Sequence, residues 1–190
     1  MGFRDALFGR KQLKAPQADR LFALSTAQVT LEVELGLRSA GAAAVCFKPL
    51  SAGEFMRAER ELAELLDLAA HESQSQVEHR TDDLGFEWVV IRDPHIEDLV
   101  TTVHLVSSDL IARGFGAQLL AAMFRFESRG EATPVFLLYA YKRGAFYPFV
   151  PTGKDKRDNA RELELKAKLE AELPIEDDLE RWFGLWDAPI

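Results

Sequence analysis

A chain of 190 residues, 47% hydrophobic and 28% charged, is long enough for one substantial core and too apolar for intrinsic disorder. A formal charge of −8 excludes general affinity for nucleic acid, which needs concentrated Lys and Arg against phosphate. Cys46 is the single cysteine, so no internal disulfide forms, and no apolar run approaches the ~20 residues of a membrane span.

Residues 1–18 stand apart as a basic amphipathic N-terminal segment. Arg4, Arg10, Lys11 and Lys14 face one acid, Asp5, among Phe3, Leu7 and Phe8. Such a segment suits an anionic membrane surface, with Phe3, Arg4, Leu7, Phe8, Arg10 and Lys11 as the contacting residues. The alternative is a frayed terminus whose phenylalanines tuck onto the domain. Gly2 does not mark myristoylation, because Ala6 stands where Ser or Thr is required. No signal-peptide pattern is present, which predicts a cytoplasmic protein.

Residues 19–190 read as a single α+β domain. Val29, Leu31, Val33, Leu35 and Leu37 alternate with polar residues and glycine as in a half-buried strand, although Ser25 and Thr26 equally suit a helix cap. A turn at Ser39, Ala40 and Gly41 then leads to a second strand over 43–48. Ser51 and Glu54 form a capping box for a helix carrying Phe55, Ala58, Leu62, Leu65 and Ala69 on one face. Residues 77–81 and 86–92 flank Asp82, Asp83, Leu84 and Gly85 as a hairpin. Asp93 caps a helix with Pro94 at its first position and Gly114 at its end. Residues 115–128 and 135–141 read as further strands, with 117–123 open to a helical alternative. A helix follows over 158–173, with one stripe at Leu165, Leu169 and Leu173 and another at Ala160, Leu163, Ala167 and Ala171. After Pro174, the spacing of Ile175, Leu179, Trp182, Phe183 and Trp186 predicts a second C-terminal helix with a docked apolar stripe. The expected fold is therefore α+β, a mostly antiparallel sheet with helices packed against it and two C-terminal helices.

Motifs for chemistry are absent from the sequence. His104, Ser107 and Asp109 lie close together, but on a helix Asp109 points away from the other two, and no G-x-S-x-G elbow accompanies them. Asp93 and His95 suit a shared metal, yet helix capping already accounts for Asp93. Gly114, Phe115 and Gly116 begin a dinucleotide fingerprint that fails at Leu119. Cys46 follows small apolar residues and reads as a buried strand residue. No catalytic residue, cofactor or metal is expected.

The most distinctive stretch is 141–151, which crowds four aromatic rings, two adjacent cations and two prolines together. Tyr141, Lys142, Arg143, Phe146, Tyr147 and Phe149, with Trp182 and Trp186, form the candidate partner-binding set, since aromatic and Arg anchors concentrate binding energy. The alternative is that the rings are core and the cations rim it. A competing functional reading is a small-ligand sensor or enzyme with a motifless pocket near Arg143, Tyr147, Asp158 and Asn159.

Residues 141–151, with Arg157, Asp158, Asn159 and Ala160 and the terminal Arg181, Trp182, Phe183, Trp186, Asp187, Ala188 and Pro189, resemble the PspA-associated protein family PspAB. Met1, Gly2 and Phe3, residues 21–24, and Val45, Cys46 and Phe47 are similar to that family in order and spacing. The resemblance implies a small cytoplasmic accessory protein of the envelope-stress response, and the basic N-terminal segment suits a peripheral place at the inner face of the membrane. Its implied partners are PspA, a coiled-coil membrane-remodelling protein related to the ESCRT-III group, and the companion protein PspAA. It brings no catalytic residues, so a non-enzymatic adaptor is expected.

Overall fold

Glu87–Arg92 reads Glu-Trp-Val-Val-Ile-Arg, an almost continuous apolar run, and a strand of that composition needs cover on both faces of its sheet. The computed structural model, which describes residues 16–48, 75–128, 130 and 133–190, supplies it. Six strands, β1 (Leu37–Phe47), β2 (Gln76–Thr81), β3 (Glu87–Arg92), β4 (Leu119–Ser128), β5 (Val135–Ala140) and β6 (Ala145–Phe149), form one antiparallel sheet in the order β2-β3-β1-β4-β5-β6. The α+β class expected from the sequence is thus the observed one.

Alternate side chains divide between the two faces. Ala43, Val45, Val89, Ile91, Phe124, Leu137, Tyr139 and Phe146 point to the helices and join the main core. Ala44, Cys46, Trp88, Val90, Met123, Phe136, Leu138, Tyr147 and Phe149 point the other way. The helical layer consists of a 3₁₀ turn (Asp19–Phe22), α1 (Ala23–Thr26), α2 (Gln28–Val33), α3 (Ile96–Ala112) and α4 (Asn159–Leu169).

The strand expected over 29–37 is helix up to Val33, and strand begins only at Leu37. Leu21, Leu24, Ala27, Leu31 and Leu35 recur at three- and four-residue steps and are all buried. A strand would have buried Val29 and Val33 alongside Leu31 and Leu35; in the helix these valines are 70% and 77% exposed. The helical register wins because it buries the leucines before residue 29 as well. The expected turn at Ser39 to Gly41 is a bulge inside one long strand, where the register of β1 against β4 shifts between Ser39 and Ala43. Gly41 has φ +68°, and a Cβ there would lie 3.1 Å from the Asp93 carbonyl oxygen, so this position requires glycine.

The hairpin of β2 and β3 forms as the sequence indicates. Asp82 accepts from the backbone N–H groups of Leu84 and Phe86, both at 2.9 Å, and from the Trp88 indole at 2.8 Å. α3 starts two residues after the expected position: His95 takes the N-cap place without a side-chain bond, and Asp93, expected as the cap, instead accepts from the His95 N–H at 2.8 Å in the turn that contains Pro94. Residues 117–123 contribute to β4 and are not helical. The capping box and helix expected over 51–69 lie outside the described residues, as do residues 1–15.

α4 is capped by Asp158, whose carboxylate accepts from the Arg161 N–H at 3.0 Å. It buries Leu165 and Leu169, with Leu173 beyond its end. Its other stripe, Ala160, Leu163, Ala167 and Ala171, is exposed, so the helix packs on one surface and not two. Before it, β7 (Pro151–Gly153) and β8 (Lys156–Arg157) form a small ribbon.

The second C-terminal helix does not form. Residues 174–190 run as an irregular strap across the second face of the sheet, with only a 3₁₀ turn at Leu179–Arg181. The strap begins by pairing with the edge of β6: Phe146 N–H donates to Pro174 O at 2.7 Å and Glu176 N–H to Phe146 O at 2.8 Å. It continues until Leu185, Ala188 and Ile190 pack against both apolar clusters of that face. An extended chain covers roughly twice the distance per residue that a helix does. That reach lets a short segment cover strands from β6 to β3. Of the expected stripe only Trp182 is buried, while Leu179, Phe183 and Trp186 are exposed.

A buried ion pair fixes the strap. Arg157 Nε donates to both carboxylate oxygens of Glu162 at 2.9 and 2.8 Å, and its Nη1 donates to Trp182 O at 2.6 Å. The Glu162 side chain is 2% exposed. Glu162→Gln leaves Arg157 without a counter-charge, and the expected loss of stability is about 3 kcal/mol. Urea unfolding followed by Trp fluorescence measures it; a variant with an unchanged midpoint would show that the pair does not hold the strap.

A candidate docking surface on the C-terminal strap

The β5–β6 turn and the strap lie side by side. Gly144, at φ +66°, closes the turn, which leaves Lys142 half-buried and Arg143 exposed. Glu176, on the strap, is within 3.9 Å of Arg143 Nε and 3.6 Å of Arg181 Nη1, so one carboxylate links both cations. On either side of Arg181 the strap presents Leu179 at 50%, Phe183 at 69% and Trp186 at 38% exposure. A Cβ on Gly184 would lie 2.4 Å from the Trp186 ring, which shows how closely that ring sits on the strap backbone beside Phe183.

The expected partner-binding set separates into two groups. Tyr141, Phe146, Tyr147, Phe149 and Trp182 are buried, so these five rings belong to the core and are corrected as contact residues. Tyr141 and Phe146 face the helices, where Tyr139 packs against both at 5.5 and 4.7 Å between ring centroids. Tyr147 and Phe149 face the strap: Tyr147 stacks on Trp182 at 6.0 Å, and Phe149 meets Trp186 edge-on at 5.3 Å. Lys142, Arg143 and Trp186 remain available. Leu179 and Phe183, absent from the expected set, complete the surface. The membrane-surface residues Phe3, Arg4, Leu7, Phe8, Arg10 and Lys11 lie outside the described residues.

The polar candidates for a ligand pocket have structural partners. Tyr147 donates its hydroxyl to Phe183 O at 3.1 Å, Asp158 caps α4, and Arg143 pairs with Glu176, while Asn159 is exposed at the start of α4. His104, Ser107 and Asp109 do not converge either. His104 Nε2 is 3.1 Å from Asp19, Ser107 donates to Val103 O at 2.6 Å and contacts the Tyr141 hydroxyl, and Asp109 accepts from Arg113. Among the described residues, Asp93, His95 and Asp98 bring potential ligand atoms within 4.8 Å of one another. Asp93 already accepts from the Ser75 hydroxyl and the His95 N–H, both at 2.8 Å, which hold the turn before α3.

Burial sets the protonation of the groups beneath the strap. Desolvation, with a smaller contribution from Asp82, pushes the Cys46 thiol up to about 12. Desolvation likewise raises the Tyr147 phenol above its ordinary range, and the nearby Arg157 charge offsets only part of that rise. Tyr139 and Tyr141 are raised by burial as well.

The family model for PspA associated protein B matches residues 1–190. The chain belongs to the PspAB family. The family's name associates its members with PspA. No curated protein and no solved structure matches the chain. Among the described residues of this PspAB chain, no helix is long and apolar enough to cross a membrane.

The raised thiol and phenols fix the direction of the alkaline response. Each group ionises later in the folded state than in the unfolded one, so the unfolded chain holds fewer protons at high pH. Their stabilising contribution is complete below the unfolded values and is lost as pH rises, from about pH 9 to about 12 for Cys46. The urea midpoint should therefore fall through this range, with phenolate absorbance appearing together with unfolding. Ordinary tyrosine titration in a chain that stays folded would contradict the burial described.

Proposed function

We propose that this PspAB protein is a non-enzymatic adaptor of the envelope-stress response, binding PspA or its companion PspAA through the outer face of the strap. The protein works in the cytoplasm, and residues 1–18 bring the complex to the anionic inner face of the membrane. One observation carries the reading: Leu179, Phe183 and Trp186 are exposed on a strap that also carries Arg181, that meets Arg143 through Glu176, and whose backbone the sheet holds in place. Aromatic and Arg side chains dominate binding energy when they sit on a fixed support. The family's name, which associates its members with PspA, supports this choice of partner. A coiled-coil helix offers a matching arrangement of an apolar stripe between charged flanks.

Purified PspA and PspAA should each be tested for retention by the immobilised full-length protein. The variant Arg143→Glu, Phe183→Ser changes only exposed side chains, so its urea midpoint should stay near that of the parent. Its retention of the partner should fall about tenfold or more, as for loss of two central contacts. Undiminished retention by the folded variant would remove this surface from the proposal, and turnover of a small compound by the purified protein would contradict the non-enzymatic role.

A further inference from the structure

The strap surface is strongly acidic as well as apolar. Residues 174–190 carry Glu176, Asp177, Asp178, Glu180 and Asp187 against a single cation, Arg181. Three of these acids are paired: Glu176 with Arg143 and Arg181, Asp177 with Lys166 at 2.9 Å, and Asp178 with Arg181 at 2.9 Å. Glu180 and Asp187 form no ion pair with a described residue, and they flank Phe183 and Trp186 in the chain. A complementary ligand is therefore a short basic segment with large apolar side chains. Residues 1–15 of this same chain have that composition, with Arg4, Arg10, Lys11 and Lys14 interspersed with Phe3, Leu7 and Phe8, and Asp5 as the single acid.

The described chain begins at the β5–β6 turn, whose Arg143 reaches the first acid of the strap. Gln17 N–H donates to Tyr141 O at 3.3 Å and Arg20 Nη1 to Gly144 O at 3.3 Å, so the described chain enters at the β5–β6 turn. Arg143 of that turn reaches Glu176, where the acidic run begins. Fifteen residues cover about 22 Å even at the 1.5 Å rise of a helix, and more if extended. That is long enough to pass along the strap from its first acid.

We propose that residues 1–15 dock in cis on Glu180, Asp187 and the exposed Phe183 and Trp186, covering the surface assigned to PspA until an anionic membrane draws them away. The segment then has two competing ligands of the same sign, the acidic strap and the lipid headgroups. Membrane contact uncovers the docking surface. This regulation rests on the reading of the strap as the PspA-binding face.

Zero-length carbodiimide cross-linking of the full-length protein tests it, using a mixture of isotopically labelled and unlabelled chains. Lys11 or Lys14 should couple to Glu180 or Asp187 within one chain. The yield should fall about fivefold in Arg4→Glu, Arg10→Glu, which keeps both lysines but reverses two charges that favour docking. It should fall similarly when phosphatidylglycerol vesicles are added, and rise in PspA retention should accompany it. Absence of these links while Lys168 couples to Glu164, 2.8 Å away, overturns the proposal. Links only between labelled and unlabelled chains overturn it in favour of a second copy, and a yield unchanged by vesicles overturns the membrane release. Retention of PspA without any cis link defeats this inference alone; a cis link in a protein that never retains PspA defeats the adaptor reading alone.

Discussion

The bond between Arg157 and Glu162 ties together three segments of the chain. Arg157 donates to the Glu162 carboxylate, to Trp182 O at 2.6 Å and to Pro148 O at 3.4 Å, and its guanidinium lies 5.1 Å from the centre of the Phe149 ring. Glu162 also accepts from Val150 N–H at 2.8 Å. The end of β6, the first turn of α4 and the middle of the strap are thus fastened to one pair of charges. A pair this buried requires every hydrogen-bonding position to be filled, because desolvating an unpaired charge costs several kcal/mol. The backbone carbonyls of Pro148 and Trp182 fill them, and that requirement fixes the path of the strap.

The strap in turn explains the composition of the sheet. Antiparallel sheets commonly leave one face to water and show polar residues there. Here the face away from the helices carries Trp88, Met123, Phe136, Leu138, Tyr147 and Phe149, all buried. Such a face is stable only with a cover, and Trp182, Leu185, Ala188 and Ile190 provide it. The high aromatic density at 141–151 has the same origin. Its rings supply both faces of β6 and the adjoining turn, Phe146 to the helices and Tyr147 and Phe149 to the strap.

How much of this could be read from the sequence depended on whether the deciding contact was local. The β2–β3 hairpin, α3 and α4 were legible because alternation, helical apolar spacing and glycine stops act over a few residues. Residues 27–37 were ambiguous because Leu31 and Leu35 fit a period of two and a period near 3.6 equally; Leu21 and Leu24 decided the matter from outside that window. The strap was misread as a helix because its helical spacing is real but its apolar groups serve different surfaces. The Arg157–Glu162 pair is five residues apart and straddles a helix start, so no helix-pair rule points to it. The candidate site was legible in part: Lys142, Arg143 and Trp186 were singled out, whereas Leu179 and Phe183 were assigned to a buried stripe. Density of rings in a sequence reports that something is packed, and only the fold tells on which side.

The exposed residues differ from a greasy loop in how their backbone is held. The carbonyl of Phe183 accepts from Tyr147, the carbonyl of Trp182 accepts from Arg157, and the Trp186 indole donates to Lys156 O at 3.3 Å. Each anchor belongs to the sheet or to the ribbon beside it. A flexible tail carrying the same side chains would lose backbone freedom on binding, at roughly 1–2 kcal/mol per residue ordered. The strap has already lost that freedom in folding, so its contacts with a ligand are not offset by it. The same anchoring separates the two jobs of the segment. Its inward residues dry the sheet, and Leu179, Phe183 and Trp186 are held exposed at positions that the inward contacts determine.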